Sequence, residues 1–234
     1  MMVKTQDDLK LAAAKAALDF VKPQMKIGLG TGSTAKHFVD LLGQKVREGL
    51  DILAVPTSET TRKQATELKI PLTNLETHPF LDLTVDGADE FDSDFQLIKG
   101  GGGALLIEKI VASSSRHMVV IADESKQVET LGKFPLPVEV VPFGVKATAW
   151  KIERALRICK LEGKLVLRVQ DGKPFRTDGG NVIIDLALGK IPEAERLSNM
   201  LNIIPGVVDH GLFIGICGII LVGTADGVKT LRKQ

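Results

Sequence analysis

Four short stretches of this chain carry residue types that do chemistry, and each follows a run that reads as a β-strand or opens a helix. In Gly28-Leu29-Gly30-Thr31-Gly32-Ser33-Thr34-Ala35, successive backbone N–H groups at a helix start, with hydroxyls from Thr31, Ser33 and Thr34, suit a phosphate monoester. Ser33 stands where the dinucleotide fingerprint G-x-G-x-x-G needs glycine, and no G-x-x-x-x-G-K-S/T loop occurs, so nicotinamide and nucleoside triphosphate readings lose ground. Asp86-Gly87-Ala88-Asp89-Glu90 follows the strand signal at 81–85. Its carboxylates therefore emerge at the carboxyl end of a strand, where open α/β sheets place ligands, and two acids three apart perturb one another's protonation. Lys99-Gly100-Gly101-Gly102-Gly103 sets four glycines in a row; ordering them costs chain entropy that no side chain offsets, so something must approach that backbone. Lys99 offers a compact positive charge for a developing oxyanion or a phosphate, and Glu108 lies in the helix the glycines launch. Ala122-Asp123-Glu124-Ser125-Lys126-Gln127 ends another apolar run and puts Lys126 where it could reach the same crevice.

Each stretch also has a plainer reading. The first is a tight turn with hydroxyl caps, the second a solvated acidic turn, Lys99 and Lys126 ordinary surface charges, and Glu108 a neighbour of Lys109 on a wet helix face. The elements between them alternate. Thr5 and Asp8 form a capping-box pattern, and Leu9, Ala13, Ala16 and Phe20 recur at helical spacing up to Pro23. Strand signals at 26–30, 52–56, 81–85 and 118–122 interleave with helical ones at 60–68 and 104–112 and through Phe38, Leu41, Leu42 and Val46. The expected fold is α/β, an open, mostly parallel sheet with flanking helices. The texture changes at Pro135, Pro137 and Pro142 and again at Pro205, which predicts a smaller inserted α+β lobe over 131–204 and a large lobe from 1–130 with 205–234. Runs at 212–216 and 218–222 read as strands returning to the first sheet.

With 234 residues, 44% of them hydrophobic, the chain can bury a sizeable core. Thirty basic against twenty-nine acidic residues leave no basic stripe for nucleic acid, and no apolar run approaches a membrane span. Cys159 and Cys217 stand far apart, as small core residues in a reducing, cytoplasmic setting. His37, His78, His117 and His210 are scattered singly, without metal-ligand spacing or a triad partner. The turn Arg176-Thr177-Asp178-Gly179-Gly180-Asn181 has a modest claim on a ligand or a second subunit.

Taken in order, Gly30-Thr31-Gly32-Ser33-Thr34-Ala35, Val85-Asp86-Gly87-Ala88-Asp89-Glu90, Ile98-Lys99-Gly100-Gly101-Gly102 with Glu108-Lys109, Ser125-Lys126-Gln127 and Ile204-Pro205-Gly206-Val207-Val208 resemble the A-type ribose-5-phosphate isomerases nearly end to end. The resemblance implies a cofactor-free, metal-independent aldose-ketose isomerase of the pentose phosphate pathway, acting on a small-molecule sugar phosphate through an enediolate. It implies that Glu108 is the base shuttling the proton, that Asp86 and Lys99 open the ring and steady the enediolate, and that Asp89 lies beside them. Substrate contacts implied by position are Thr31, Gly32, Ser33 and Thr34; Asp86, Gly87, Ala88 and Asp89; Lys99, Gly100, Gly101 and Gly102; and Lys126, with Lys10 a weaker phosphate candidate. A homodimer or tetramer in the cytoplasm is the family expectation. The rivals are a related sugar-phosphate deaminase or lactonase, and a non-catalytic sugar-phosphate sensor.

Overall fold

Thr5 opens the first helix as its spacing predicts: its hydroxyl accepts the Asp8 N–H at 3.2 Å while its own N–H donates to the Asp8 carboxylate at 2.8 Å. That reciprocal cap satisfies two donors that a helix start otherwise leaves open, and the helix Gln6–Ala17 follows. The structure, a computed structural model, describes residues 4–233. These pack as two units: one takes the described residues up to Ala88, Ile107–Gln127 and Gly215 onward, the other Asp89–Leu106 and Val128–Ile214.

The first unit is built on a six-stranded sheet in the order Gly227–Arg232, Ile219–Thr224, Met118–Asp123, Leu83–Asp86, Lys26–Leu29, Leu53–Pro56. Every neighbouring pair is parallel except the first, where Gly227–Arg232 runs antiparallel along the edge. Strands buried on both faces need apolar runs rather than alternation, and Met118–Asp123 is buried at every position. Helix Ser33–Arg47 turns Phe38, Val39 and Leu42 inward at helical spacing, where they join Ile27, Leu29, Val85 and Ile121 in one core cluster. Each such side chain contributes about 1.5–3 kcal/mol on leaving water. The chain runs from Lys26–Leu29 outward to Leu53–Pro56, then crosses to the other side of its first strand at Leu83–Asp86. The topological switch point, where such sheets hold ligands, thus falls between the carboxyl ends of Lys26–Leu29 and Leu83–Asp86.

The second unit has a four-stranded antiparallel sheet in the order Val207–His210, Leu136–Val140, Val182–Ala187, Lys164–Leu167. Helices Val145–Ile158 and Ala194–Asn202 bury Ile152, Leu156, Leu197 and Leu201 in the core it shares with Val138, Val140 and Ile184. It also has a small three-stranded sheet, Leu212–Phe213, Leu97–Ile98 and Glu90–Phe91.

The boundaries of these units differ from the division at 130 and 205 expected from the prolines. Pairing explains the shift. Leu97–Ile98 bonds to Leu212–Phe213, which places the segment after Asp89 in the second unit, and Val207–His210 bonds to Leu136–Val140, so the second unit continues past Pro205. Of the two late strands expected to return to the first sheet, Ile219–Thr224 does so and Leu212–Phe213 does not. Two-residue strands such as Glu90–Phe91 have no period to read, which is why the sequence did not announce them.

Candidate active site

In the first unit the turn after Lys26–Leu29 is organised by Asp86. Gly30 donates to the Val85 carbonyl at 2.9 Å, and the Asp86 Oδ1 accepts from the Thr31 N–H at 3.0 Å and the Gly87 N–H at 2.7 Å. Gly30 has to be glycine: a Cβ there would overlap the Asp86 carboxyl and its Cα. Gly32, at φ 106°, bends the chain into Ser33–Arg47. Lys36 is the residue whose N–H bonds back to Gly32, at 2.9 Å, so the N–H groups of Ser33, Thr34 and Ala35 ahead of it are donors that a helix start leaves without an intrahelical acceptor.

The three hydroxyls of this turn are not equivalent. Thr31 Oγ1 lies 2.8 Å from Thr57 Oγ1, 2.8 Å from Ser58 Oγ and 3.1 Å from Thr61 Oγ1. Thr57 and Thr61 in turn donate to the Leu29 and Gly30 carbonyls, each at 2.9 Å. The Thr31 hydroxyl therefore ties the turn to the end of the neighbouring strand. Ser33 is exposed and accepts from Lys10 Nζ at 3.0 Å, which sets a positive charge beside the helix start, and Thr34 is buried. Sequence reading missed Thr57, Ser58 and Thr61 as supports; the signal was there, a hydroxyl-rich run following the adjacent parallel strand.

Glu108 lies in the first turn of helix Leu105–Ser113 and shares its buried face with Val111 and Ala112, at 4% exposure. This disposes of the wet-face reading. Lys126 is half-buried in the short helical turn Glu124–Lys126, whose cap is Asp123. Asp123 accepts from Ser125 N–H at 3.0 Å and from Gln6 Nε2 at 3.3 Å. Burial pushes its carboxyl up, but hydrogen bonds from Ser125 and Gln6 and the charge of Lys126 together hold it below the usual value.

The remaining candidates, Asp89, Lys99, Gly100, Gly101 and Gly102, belong to the second unit. Lys99 is buried at 2% exposure, with its N–H on the Gly211 carbonyl at 2.9 Å and its ammonium 5.5 Å from the centre of the Phe213 ring. It is not a surface lysine. Asp89 Oδ2 accepts the Gly101 N–H at 2.8 Å, and a Cβ on Gly101 would press on that carboxylate at 2.7 Å. The approach that four glycines implied is thus made in part by a side chain of the same unit. Arg168, unremarked in the sequence, completes it: Nη1 donates to the Gly100 and Gly101 carbonyls at 2.9 and 3.0 Å. No local signal could have found Arg168, because it lies 67 residues from Gly101.

The structure thus brings Thr31, Asp86 and Gly87 together in one unit and Asp89 with Gly101 in the other. The turn Arg176 to Asn181 is engaged locally, with Thr177 and Asn181 both donating to buried Glu139 at 2.9 Å. His210 is a core residue that accepts the Leu212 N–H on Nδ1 at 3.2 Å and meets Ser198 Oγ through Nε2 at 3.2 Å. Among the described residues, no group of three or more His, Cys, Asp or Glu side chains is placed to hold a metal ion.

The profile of the family described as ribose 5-phosphate isomerase A (phosphoriboisomerase A) matches residues 53–227. A ribose-5-phosphate isomerase A from Parvibaculum lavamentivorans is 60% identical over 227 residues, covering 97% of this chain and 98% of the relative. One from Rhodopseudomonas palustris strain HaA2 is 58% identical over 229 residues, covering 97% and 99%. Among solved structures, ribose 5-phosphate isomerase from Plasmodium falciparum superposes with a TM-score of 0.92 at 38% identity, over 97% of this chain and 99% of the other. A D-ribose-5-phosphate isomerase solved with phospho-erythronic acid gives 0.90 at 42%, over the whole of both chains. With likeness of this extent in sequence and fold, the chain belongs to the ribose 5-phosphate isomerase A family.

Proposed function

We propose that this protein interconverts D-ribose 5-phosphate and D-ribulose 5-phosphate through an enediolate. The observation that carries the reading is the burial of three ionisable side chains, Asp86 at 0%, Lys99 at 2% and Glu108 at 4% exposure, at the positions the family motif assigns to chemistry. Acids and lysines are seldom buried unless something uses or compensates their charge.

Removing the proton from C2 of the open-chain aldehyde puts negative charge on O1. A proton passing from O2 to O1, and one returned to C1, then yields the ketose. A carbon-bound proton beside a carbonyl does not leave unaided, so the reaction needs a base and a group that stabilises the oxyanion, each worth about two to four orders of magnitude in rate. In this reading Glu108 is the base that carries the proton between C2 and C1. Lys99 stabilises the enediolate, and Asp86 exchanges the proton that opens the ring, with Asp89 beside it. Gly87 and Ala88, and Gly100, Gly101 and Gly102, offer backbone to the sugar. Thr31, Gly32, Ser33 and Thr34, with Lys126 and Lys10, take the remaining substrate contacts, supported by the open helix-start donors and the cation beside Ser33. A cytoplasmic homodimer or tetramer completes the reading; neither Cys159 nor Cys217 forms a disulfide, which suits a reducing compartment.

The test is turnover of ribose 5-phosphate by the purified protein, followed through the ketose signal with a chelator present throughout. Brisk conversion is expected. Folded protein that binds the sugar phosphate and leaves it unchanged would point to a sensor instead.

A further inference from the structure

We propose that Arg168, held by Asp185, is a positioning residue that sets which way the peptides of the glycine loop face, and so which N–H groups the loop offers. The inference rests on the reading that this loop contacts substrate.

A run of glycines has no side chains to hold its peptide planes, and each plane turns easily unless something grips it. Arg168 grips two in succession, through the Gly100 carbonyl at 2.9 Å and the Gly101 carbonyl at 3.0 Å. In a trans peptide the N–H of the next residue points the opposite way from the carbonyl, and none of the described peptide bonds is cis. With the Gly100 carbonyl on Arg168, the Gly101 N–H must face away from the guanidinium, and it does: it donates to Asp89 Oδ2 at 2.8 Å. By the same geometry the Gly102 N–H is turned away from Arg168 and fixed in direction. The Gly103 N–H, at 3.0 Å from the Gly100 carbonyl, closes the turn behind it.

The guanidinium is itself immobilised. Its Nε and Nη2 bond both oxygens of Asp185, at 2.9 and 2.5 Å, and it lies 5.8 Å from the centre of the Phe175 ring. The Phe175 N–H bonds the Arg168 carbonyl at 2.9 Å, which fixes the two residues opposite each other. A carboxylate paired this closely cancels the arginine's charge, so Arg168 contributes orientation more than field. A planar fork can hold one carboxylate with two nitrogens while a third bridges two carbonyls; a lysine ammonium cannot.

The experiment compares the wild-type protein with Arg168→Lys and Asp185→Asn, measuring kcat and KM for ribose 5-phosphate, thermal melting, and affinity for phospho-erythronic acid, the acid phosphate bound in a relative. In Arg168→Lys, kcat is expected to fall roughly ten- to a hundredfold with KM within about threefold, as for lost positioning at the reacting centre. Affinity for the acid phosphate falls in step, melting moves little, and Asp185→Asn shifts the same quantities the same way by less. A folded Arg168→Lys with kcat within about twofold of wild type overturns the inference, as does a loss that vanishes when rates are expressed per folded molecule. Should Arg168→Lys not fold, the same split in Asp185→Asn decides. Wild-type protein without turnover sinks the isomerase reading, whereas active wild type beside unaffected variants sinks only this one.

Discussion

The turn after Lys26–Leu29 and the glycine loop after Leu97–Ile98 are both glycine-rich segments that end a strand, yet they are held in opposite ways. The first is fixed by the ends of neighbouring parallel strands: Asp86 bonds its backbone, and Thr57, Ser58 and Thr61 hold its one structural hydroxyl. The second is fixed by side chains from scattered places in its own unit, Asp89 on one side and Arg168 on the other. A turn built on a parallel sheet inherits its geometry from strand pairing, so damage there spreads into the fold. A loop clamped by side chains can lose its shape while the fold stays intact.

The largest expected effect sets the scale for that comparison, because it removes a group that belongs to neither loop. Glu108→Gln keeps the shape of the buried helix face and removes the base, so kcat should fall by about two to four orders of magnitude with KM little changed. Near-normal turnover takes Glu108 out of the reaction. Next come the two glycines. A Cβ on Gly30 meets the Asp86 backbone as well as its carboxyl, whereas one on Gly101 meets only the end of the Asp89 side chain. Gly30→Ala should therefore cost about 3 kcal/mol in denaturant unfolding. Gly101→Ala should unfold almost like wild type while losing about tenfold in kcat as its bond to Asp89 opens. Exchange of these two outcomes would break the comparison.

A smaller effect sharpens it. Thr31→Ala removes the hydroxyl at the centre of the Thr57, Ser58 and Thr61 cluster, and about 1 kcal/mol of stability should go with it, along with a severalfold rise in KM. An unchanged KM with lowered stability would make that hydroxyl purely structural. The smallest effect depends on pH. Asp123 has its folded pKa held below the usual value of 3.8 against the upward push of burial. Its contribution to stability is thus fully present above the unfolded value and is lost as pH falls through the folded one. Asp123→Asn should lower stability modestly at neutral pH and flatten the acid limb below pH 3.8, so that the difference from wild type shrinks in acid, as thermal melting across that range would record.

Period and punctuation carried most of the fold. The capping box at Thr5, the apolar run at Met118–Asp123 and the helical spacing of Phe38 and Leu42 are local patterns, and local patterns survive in a bare sequence. The unit boundaries did not, because they depend on two-residue strands with no period of their own and on Val207–His210 pairing with a strand some seventy residues earlier. At the candidate site, the types of Asp86, Lys99 and Glu108 were legible and their burial was not. Lys99 and Glu108 each had a plain surface reading that spacing alone could not dismiss.

What the sequence determined by itself is therefore which residues have chemistry to offer and roughly which elements carry them: hydroxyls and glycines at a helix start, two acids at a strand end, a lysine before four glycines, a glutamate in the helix beyond. Tertiary structure alone decided which groups are withdrawn from water and which peptides are gripped. Burial and a two-carbonyl clamp are properties of segments that meet only on folding, and the pairing of Gly100 and Gly101 with Arg168 spans a chain separation that no local propensity reaches.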